Sequence, residues 1–303
     1  MKNYFIYGQL MLVIMMWGLN VVAIKVIVSE FSPVTITSFR IFLASLFVFL
    51  VLLLRKNIRM PKKMEWLYII LITVTGVAGH HFFLSVGLTQ ASASTSGLIL
   101  GLVPLFTAIL ASMLLKERLS FLRLTGLVFG LSGVSFVVLA GSSEGLSLNT
   151  GDLFIFIAVL AQAVSFIFIK KATETMGARL VTGITLMMGS FLLFIMSLFM
   201  EPDGLSSLVE GSLLGWSVFL ASSLFATALG QFLYNHAIQR IGPGKSSVFM
   251  NLQPFFALLG SYFFLGEHLS LVHFLGFVLI VIGVLLGSGM VDQWIHRKAE
   301  ERT

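Results

Sequence analysis

Apolar residues run along this chain in ten stretches of about 20, each long enough for a helix to cross a hydrocarbon core about 30 Å thick. The stretches are 4–28, 33–54, 66–88, 92–115, 121–140, 151–171, 179–200, 213–237, 243–265 and 270–290. They predict an all-α integral membrane protein with ten transmembrane helices. The join between residues 88 and 92 rests on a weakly polar tract, Thr89 to Ser96. The first stretch is longer than the apolar core of a signal peptide and lacks a small-residue cleavage pattern, so it reads as a retained helix. Connections are short, which leaves no room for a catalytic or receptor domain outside the bundle.

The pattern also repeats. LVPLFTAILASMLLKERLSFLRLTG at 102–126 is answered by LQPFFALLGSYFFLGEHLSLVHFLG at 252–276, so Leu102, Pro104, Phe106, Leu115, Glu117, Leu119, Ser120 and Gly126 recur 150 positions later. GLNVVAIK at 18–25 is answered by AVSFIFIK at 163–170. Two units follow, residues 1–145 and 146–290, with a cytoplasmic tail at 291–303. Five spans per unit is an odd number, so the second unit enters the membrane upside down relative to the first. Inverted repeats of this kind are common in secondary transporters.

Composition agrees: 57% hydrophobic and 11% charged, with a mean hydropathy of +1.01. A soluble domain of this size needs more polar surface. There are no cysteines, which excludes thiol catalysis, cysteine-ligated metal and disulfides. Seventeen of the nineteen Lys and Arg residues fall on one side of the expected topology, at the N-terminus, in the loops near 55–63, 116–123, 170–179 and 240–245, and in the tail. Glu144, Asp152, Glu201, Asp203 and Glu210 fall in the opposite loops. By the positive-inside rule both termini are cytoplasmic. The net charge of +6 reflects topology rather than a nucleic-acid partner.

Polar groups inside an apolar span are costly and tend to face the bundle interior, so they mark the candidate path. In the first half these are Trp17 with Asn20, Arg40, and the pair His80 and His81; in the second, Gln162, Ser165, Gln231, Tyr234, Asn235, Asn251 and Gln253. The repeat pairs Trp17 with Gln162, Asn20 with Ser165 and His81 with Gln231. Arg40, about 10 Å into its span at 1.5 Å per residue, has two readings. It snorkels outward or pairs with Glu30, or it anchors a carboxylate or phosphate, with Lys25 nearby. Lys25 taken alone reads as an interfacial snorkelling residue. Of the two histidines, about 100° apart on a helix, one faces the cavity and suits proton exchange near neutral pH. Pro104 and Pro254 fall near the middle of spans four and nine, where each removes a helical hydrogen bond, either as a kink that shapes packing or as a hinge. Glu117 and Glu267 close those spans as hinge or cap residues, leaving no buried carboxylate for proton coupling.

Gly97, Gly101, Gly126, Gly130, Gly133, Gly283 and Gly287 form small-residue stripes for close helix approach within the chain; they also leave a homodimer open. The G-x-S-x-G string at 141–145 sits in a loop rather than a strand-to-helix elbow and is read as chance. With no H-E-x-x-H and only isolated His268 and His273, neither catalytic residues nor a metal or other cofactor is expected.

Trp17-Gly18-x-Asn20, Pro33, Arg40, Pro104, Pro254, and Glu117 and Glu267 followed by Gly126 and Gly276 together resemble the EamA family of the drug/metabolite transporter superfamily. The likeness covers both halves. It departs at Gln162-Ala163-x-Ser165 and at Thr185, which stand where the Trp-Gly-x-Asn element and Arg40 would repeat. The resemblance implies a ten-helix bundle around a central cavity, exporting amino acids, related metabolites or drugs across a bacterial cytoplasmic membrane. The expected partners are a small-molecule substrate and membrane lipid. The expected activity is alternating-access transport; a passive facilitator or channel is the alternative, and an integral-membrane enzyme or sensor a more distant one.

Overall fold

The structure, a computed structural model, describes residues 2–55, 58–115 and 149–287, together with 121–122, 125–126, 128–130 and 132–133. Every regular element among them is helical. Helix α1 is Lys2–Glu30 and α2 is Pro33–Leu54, opened by a proline whose fixed φ suits a first turn. The third crossing joins α3 (Lys63–Ile72), a π-helical segment (Thr73–Gly79) and α4 (His80–Gln90). The fourth comprises α5 (Ala93–Leu100) and α6 (Val103–Leu115), and it is followed by α7 (Thr150–Ala172) and α8 (Ala178–Met200). Next come α9 (Leu213–Ala221), a second π segment (Ser222–Gly230) and α10 (Gln231–Ile241). The described chain closes with α11 (Pro243–Ser247), a 3-10 stretch (Val248–Leu252), α12 (Gln253–Leu265) and α13 (Leu271–Gly287).

Among the described residues, seven helices are long and apolar enough to cross a membrane, and two shorter apolar ones, Phe249–Leu265 and Leu271–Gly283, follow. The fifth expected span, 121–140, is described only in fragments. Glu117, the 141–145 string and the 291–303 tail lie outside the described residues. Large apolar side chains such as Phe5, Leu54, Phe199 and Leu213 are exposed on the outside of the bundle, as an apolar solvent allows.

Both π segments occupy matching places, Thr73 and Ser222 lying close to the 150-residue offset of the repeat. Their small residues let neighbours press in: a Cβ on Gly76 would meet Ser165 Cβ at 2.5 Å, and one on Gly230 would meet Trp17 Nε1 at 2.6 Å. The two mid-span prolines do not kink a continuous helix. Gly101 and Leu102 form a turn ahead of Pro104, and the 3-10 stretch precedes Pro254. Each proline thus sits in the first turn of a new segment, where its missing N–H costs nothing.

Glycines make their close contacts inside the chain. A Cβ on Gly97 would collide with Ala257, on Gly101 with Pro254 Cγ at 2.7 Å, and on Gly133 with the Gly276 carbonyl at 2.9 Å. Gly283 faces the backbone of Gly126 and Gly130.

Three carboxylates tie distant segments at one face of the bundle. Glu201 accepts from the Val34 and Thr35 amides and the Thr35 hydroxyl, at 2.9, 2.7 and 2.7 Å. Glu267 accepts from the Ala93 and Ser94 amides and the Ser94 hydroxyl, at 2.9, 3.0 and 2.6 Å. Glu30 takes the Ser212 amide and hydroxyl, both at 2.9 Å. A carboxylate at a helix amino end meets unsatisfied N–H groups and the positive end of the dipole. At the opposite, basic face, Arg59 grips Glu65 with two hydrogen bonds, which raise the guanidinium pKa above its ordinary value.

Candidate functional site: a polar cluster around the second π segment

A helix interior offers few free backbone groups, but a π segment widens the backbone and is frequent at functional sites. Here the second π segment gathers polar side chains from three other helices. Trp17 Nε1 of α1 donates to the Ala226 carbonyl at 2.9 Å. One turn on, Asn20 Oδ1 accepts from the Ser222 hydroxyl at 2.6 Å. From α2, Arg40 donates to Thr227 Oγ1 at 2.6 Å and to Ser222 Oγ at 3.4 Å, and its other terminal nitrogen lies 3.3 Å from His81 Nδ1 of α4.

Arg40 is the most consequential of these. Only 1% exposed, it neither snorkels nor pairs with Glu30, which is committed to Ser212. The sole ion pair among the described residues is Arg59 with Glu65, so neutral groups alone hold the Arg40 charge. A buried cation without a counter-charge is costly, and a carboxylate or phosphate brought beside it recovers much of that cost.

Trp17, Asn20, His81, Gln231 and Gln253 line one central cavity of about 50 Å³, with Arg40 one side chain behind its wall through His81 and Thr227. Two lining atoms, His81 Nε2 and Gln253 Oε1, are buried without a protein hydrogen-bond partner. Tyr234 lies behind Trp17, its ring 4.7 Å away and 5.0 Å from Phe166, with its hydroxyl likewise unpartnered. Asn235 falls in an adjoining space, bonded to Thr182 Oγ1 at 2.8 Å; Gln162 and Gln231 border both spaces. His80 also lines the central cavity, its Nδ1 lying 3.0 Å from the Ala158 carbonyl.

Pro104 and Pro254 lie at the breaks of spans four and nine, next to the cavity-lining Val103 and Gln253, and Glu267 lies at the end of span nine. The Ser270 hydroxyl, just ahead of α13, pairs with His273 Nδ1 at 2.8 Å. Lys25 does not snorkel. Its ammonium donates to the Leu88 and Ala91 carbonyls at 2.7 and 2.9 Å, closing the carboxyl end of α4. Lys25 and Glu267 therefore hold the 88–94 turn from two sides.

Sequence reasoning missed Ser222, Thr227 and the Ala226 carbonyl. Serine and threonine are unremarkable in an apolar span, and nothing in the local composition announces a π segment. The only available signal was their nearness to Gln231 in a run of small residues.

A family model described as the EamA-like transporter family matches residues 5–139 and again 149–289. An uncharacterized transporter, YyaM, of Bacillus subtilis (strain 168) is 31% identical over 297 residues, 96% of each chain. A relative named probable terminal-alkyne amino-acid exporter, from Streptantibioticus cattleyicolor, is 25% identical over 234 residues, 76% of this chain and 75% of that one. One solved crystal structure, 17% identical, superposes with a TM-score of 0.72 over 93% of this chain and 98% of that one, a likeness of fold alone.

Proposed function

The chain belongs to the EamA-like transporter family, and from that membership we propose that it is a secondary transporter that exports amino acids or related small carboxylate metabolites by alternating access. Ten crossings arranged as two inverted five-helix repeats, 1–145 and 146–290, supply the two-state frame, with both termini in the cytoplasm. The Arg40 guanidinium, buried beside a polar cavity with no carboxylate partner, is the observation that carries the substrate class. An incoming carboxylate replaces the hydroxyls of Ser222 and Thr227, while His81 Nε2 and Gln253 Oε1 offer further hydrogen bonds. The amino-acid export named for the Streptantibioticus relative supports the same class.

A cavity of about 50 Å³ has room for a water or two, since water's share of liquid volume is about 30 Å³. An amino acid enters only when the helices separate. This supports a carrier over a standing pore, and counterflow in liposomes tests it. A carrier accelerates labelled substrate exchange when unlabelled substrate waits on the far side. Non-saturating flux without that acceleration would favour the facilitator or channel. A panel of amino acids and cationic drugs, assayed with and without a pH gradient, identifies the cargo and reveals any proton coupling.

A further inference from the structure

A second cavity, of about 530 Å³, lies at the basic face between the carboxyl end of α2, the amino end of α8 and α10. Its wall mixes apolar Leu52, Ile58 and Phe232 with Arg59, Arg179 and Arg240. Arg59 is neutralised by Glu65 at 2.8 and 2.7 Å. Arg179 and Arg240 have no carboxylate partner among the described residues. The Arg179 guanidinium lies 5.0 Å over the Phe232 ring, and Arg240 Nε donates to His236 Nε2 at 3.4 Å.

The direction of this cavity follows from helical spacing. Phe232, His236 and Arg240 are four residues apart and share one stripe of α10. Gln231 and Asn235, which border the central spaces, lie about 100° round the same helix. The arginine cavity therefore opens sideways, away from the central path. The amino end of α8 adds a positive dipole end there, and its N-cap is Gly177, which has no side chain to offer. Next to it, Leu53, Leu54 and Met60 present exposed apolar surface.

We propose that this cavity binds the phosphate of an anionic phospholipid, held between Arg179 and Arg240, with its acyl chains along the end of α2. Basic pockets between membrane helices suit such headgroups, and arginine matches phosphate oxygens with paired donors. The apolar wall and flanking leucines favour a lipid over a soluble anion, which would gain nothing from them.

Thermal unfolding of the purified full chain in neutral detergent tests this, with phosphatidylglycerol, phosphatidylcholine or glycerol phosphate added separately. Phosphatidylglycerol should raise the Tm by about 3 °C or more, and phosphatidylcholine should not. The Arg179→Gln/Arg240→Gln pair should lose the shift, and the charge-preserving Arg179→Lys/Arg240→Lys pair should keep part of it. Should the glutamine pair fail to fold, Arg240→Gln alone, at an exposed position, should show about tenfold weaker lipid retention in native mass spectrometry. Equal shifts from both lipids, or undiminished shift or retention in the glutamine variants, overturn the site. A glycerol phosphate shift as large as that from phosphatidylglycerol overturns the lipid as its source. No readout depends on transport, so failure here leaves the transport reading untouched.

Discussion

At the scale of single residues, the proposed substrate site rests on a charge, that of Arg40, which has no counter-charge among the described residues. Hydrogen bonds to charged groups contribute about 1.5–3 kcal/mol. Arg40→Ala should therefore lower transport of carboxylate substrates about tenfold to a hundredfold, with membrane expression maintained, as liposome uptake would show. Arg40→Lys keeps the charge but loses the fork and should fall between. Unchanged kinetics in the alanine variant would leave Arg40 a packing residue. Trp17→Phe removes the bond to the Ala226 carbonyl and should cost about 1 kcal/mol of stability, read from thermal unfolding in detergent.

At the scale of elements, close approach and terminal capping decide how the helices meet. A Cβ on Gly18 of α1 would stand 2.5 Å from Phe256 Cβ and 2.7 Å from the Gln253 carbonyl of α12. Gly18→Ala should destabilise the protein by about 1–3 kcal/mol through overpacking. Gly8, in the same helix with nothing within 4 Å of an added Cβ, is the control: Gly8→Ala should be neutral or stabilising by up to about 1 kcal/mol. Glu267→Gln weakens three hydrogen bonds at the start of α5 and should cost about 0.5–2 kcal/mol in the same unfolding assay.

For the whole molecule, the clamp of Lys25 and Glu267 on the 88–94 turn lies at the end that the proposed alternating-access cycle opens. The native chain lacks cysteine, so a Ser94→Cys/Glu267→Cys pair carries the only thiols. Bridging them with a reducible bifunctional thiol reagent should stop transport in liposomes, and reduction should restore it. Persistent flux through the bridged protein would mean that this end does not move.

Membrane residence, helical class and internal duplication were legible in the chain because each depends on patterns local in sequence. A run of about 20 apolar residues can satisfy its backbone in lipid only as a helix, whatever surrounds it. The repeated Leu-x-Pro and Glu-x-Leu-Ser strings declare duplication without any fold. Trp17, Asn20, Arg40, His81, Gln231 and Gln253 stood out for the same reason, since polar groups in apolar spans are conspicuous. What those residues touch was not legible. That Arg40 meets Thr227 and His81 rather than Glu30, that Lys25 and Glu267 close on one turn, and that Pro104 and Pro254 begin segments all depend on how helices distant in sequence pack. Only the tertiary structure decided them, because a hydrogen bond across the bundle is fixed by where two helices meet, and neither helix encodes that alone.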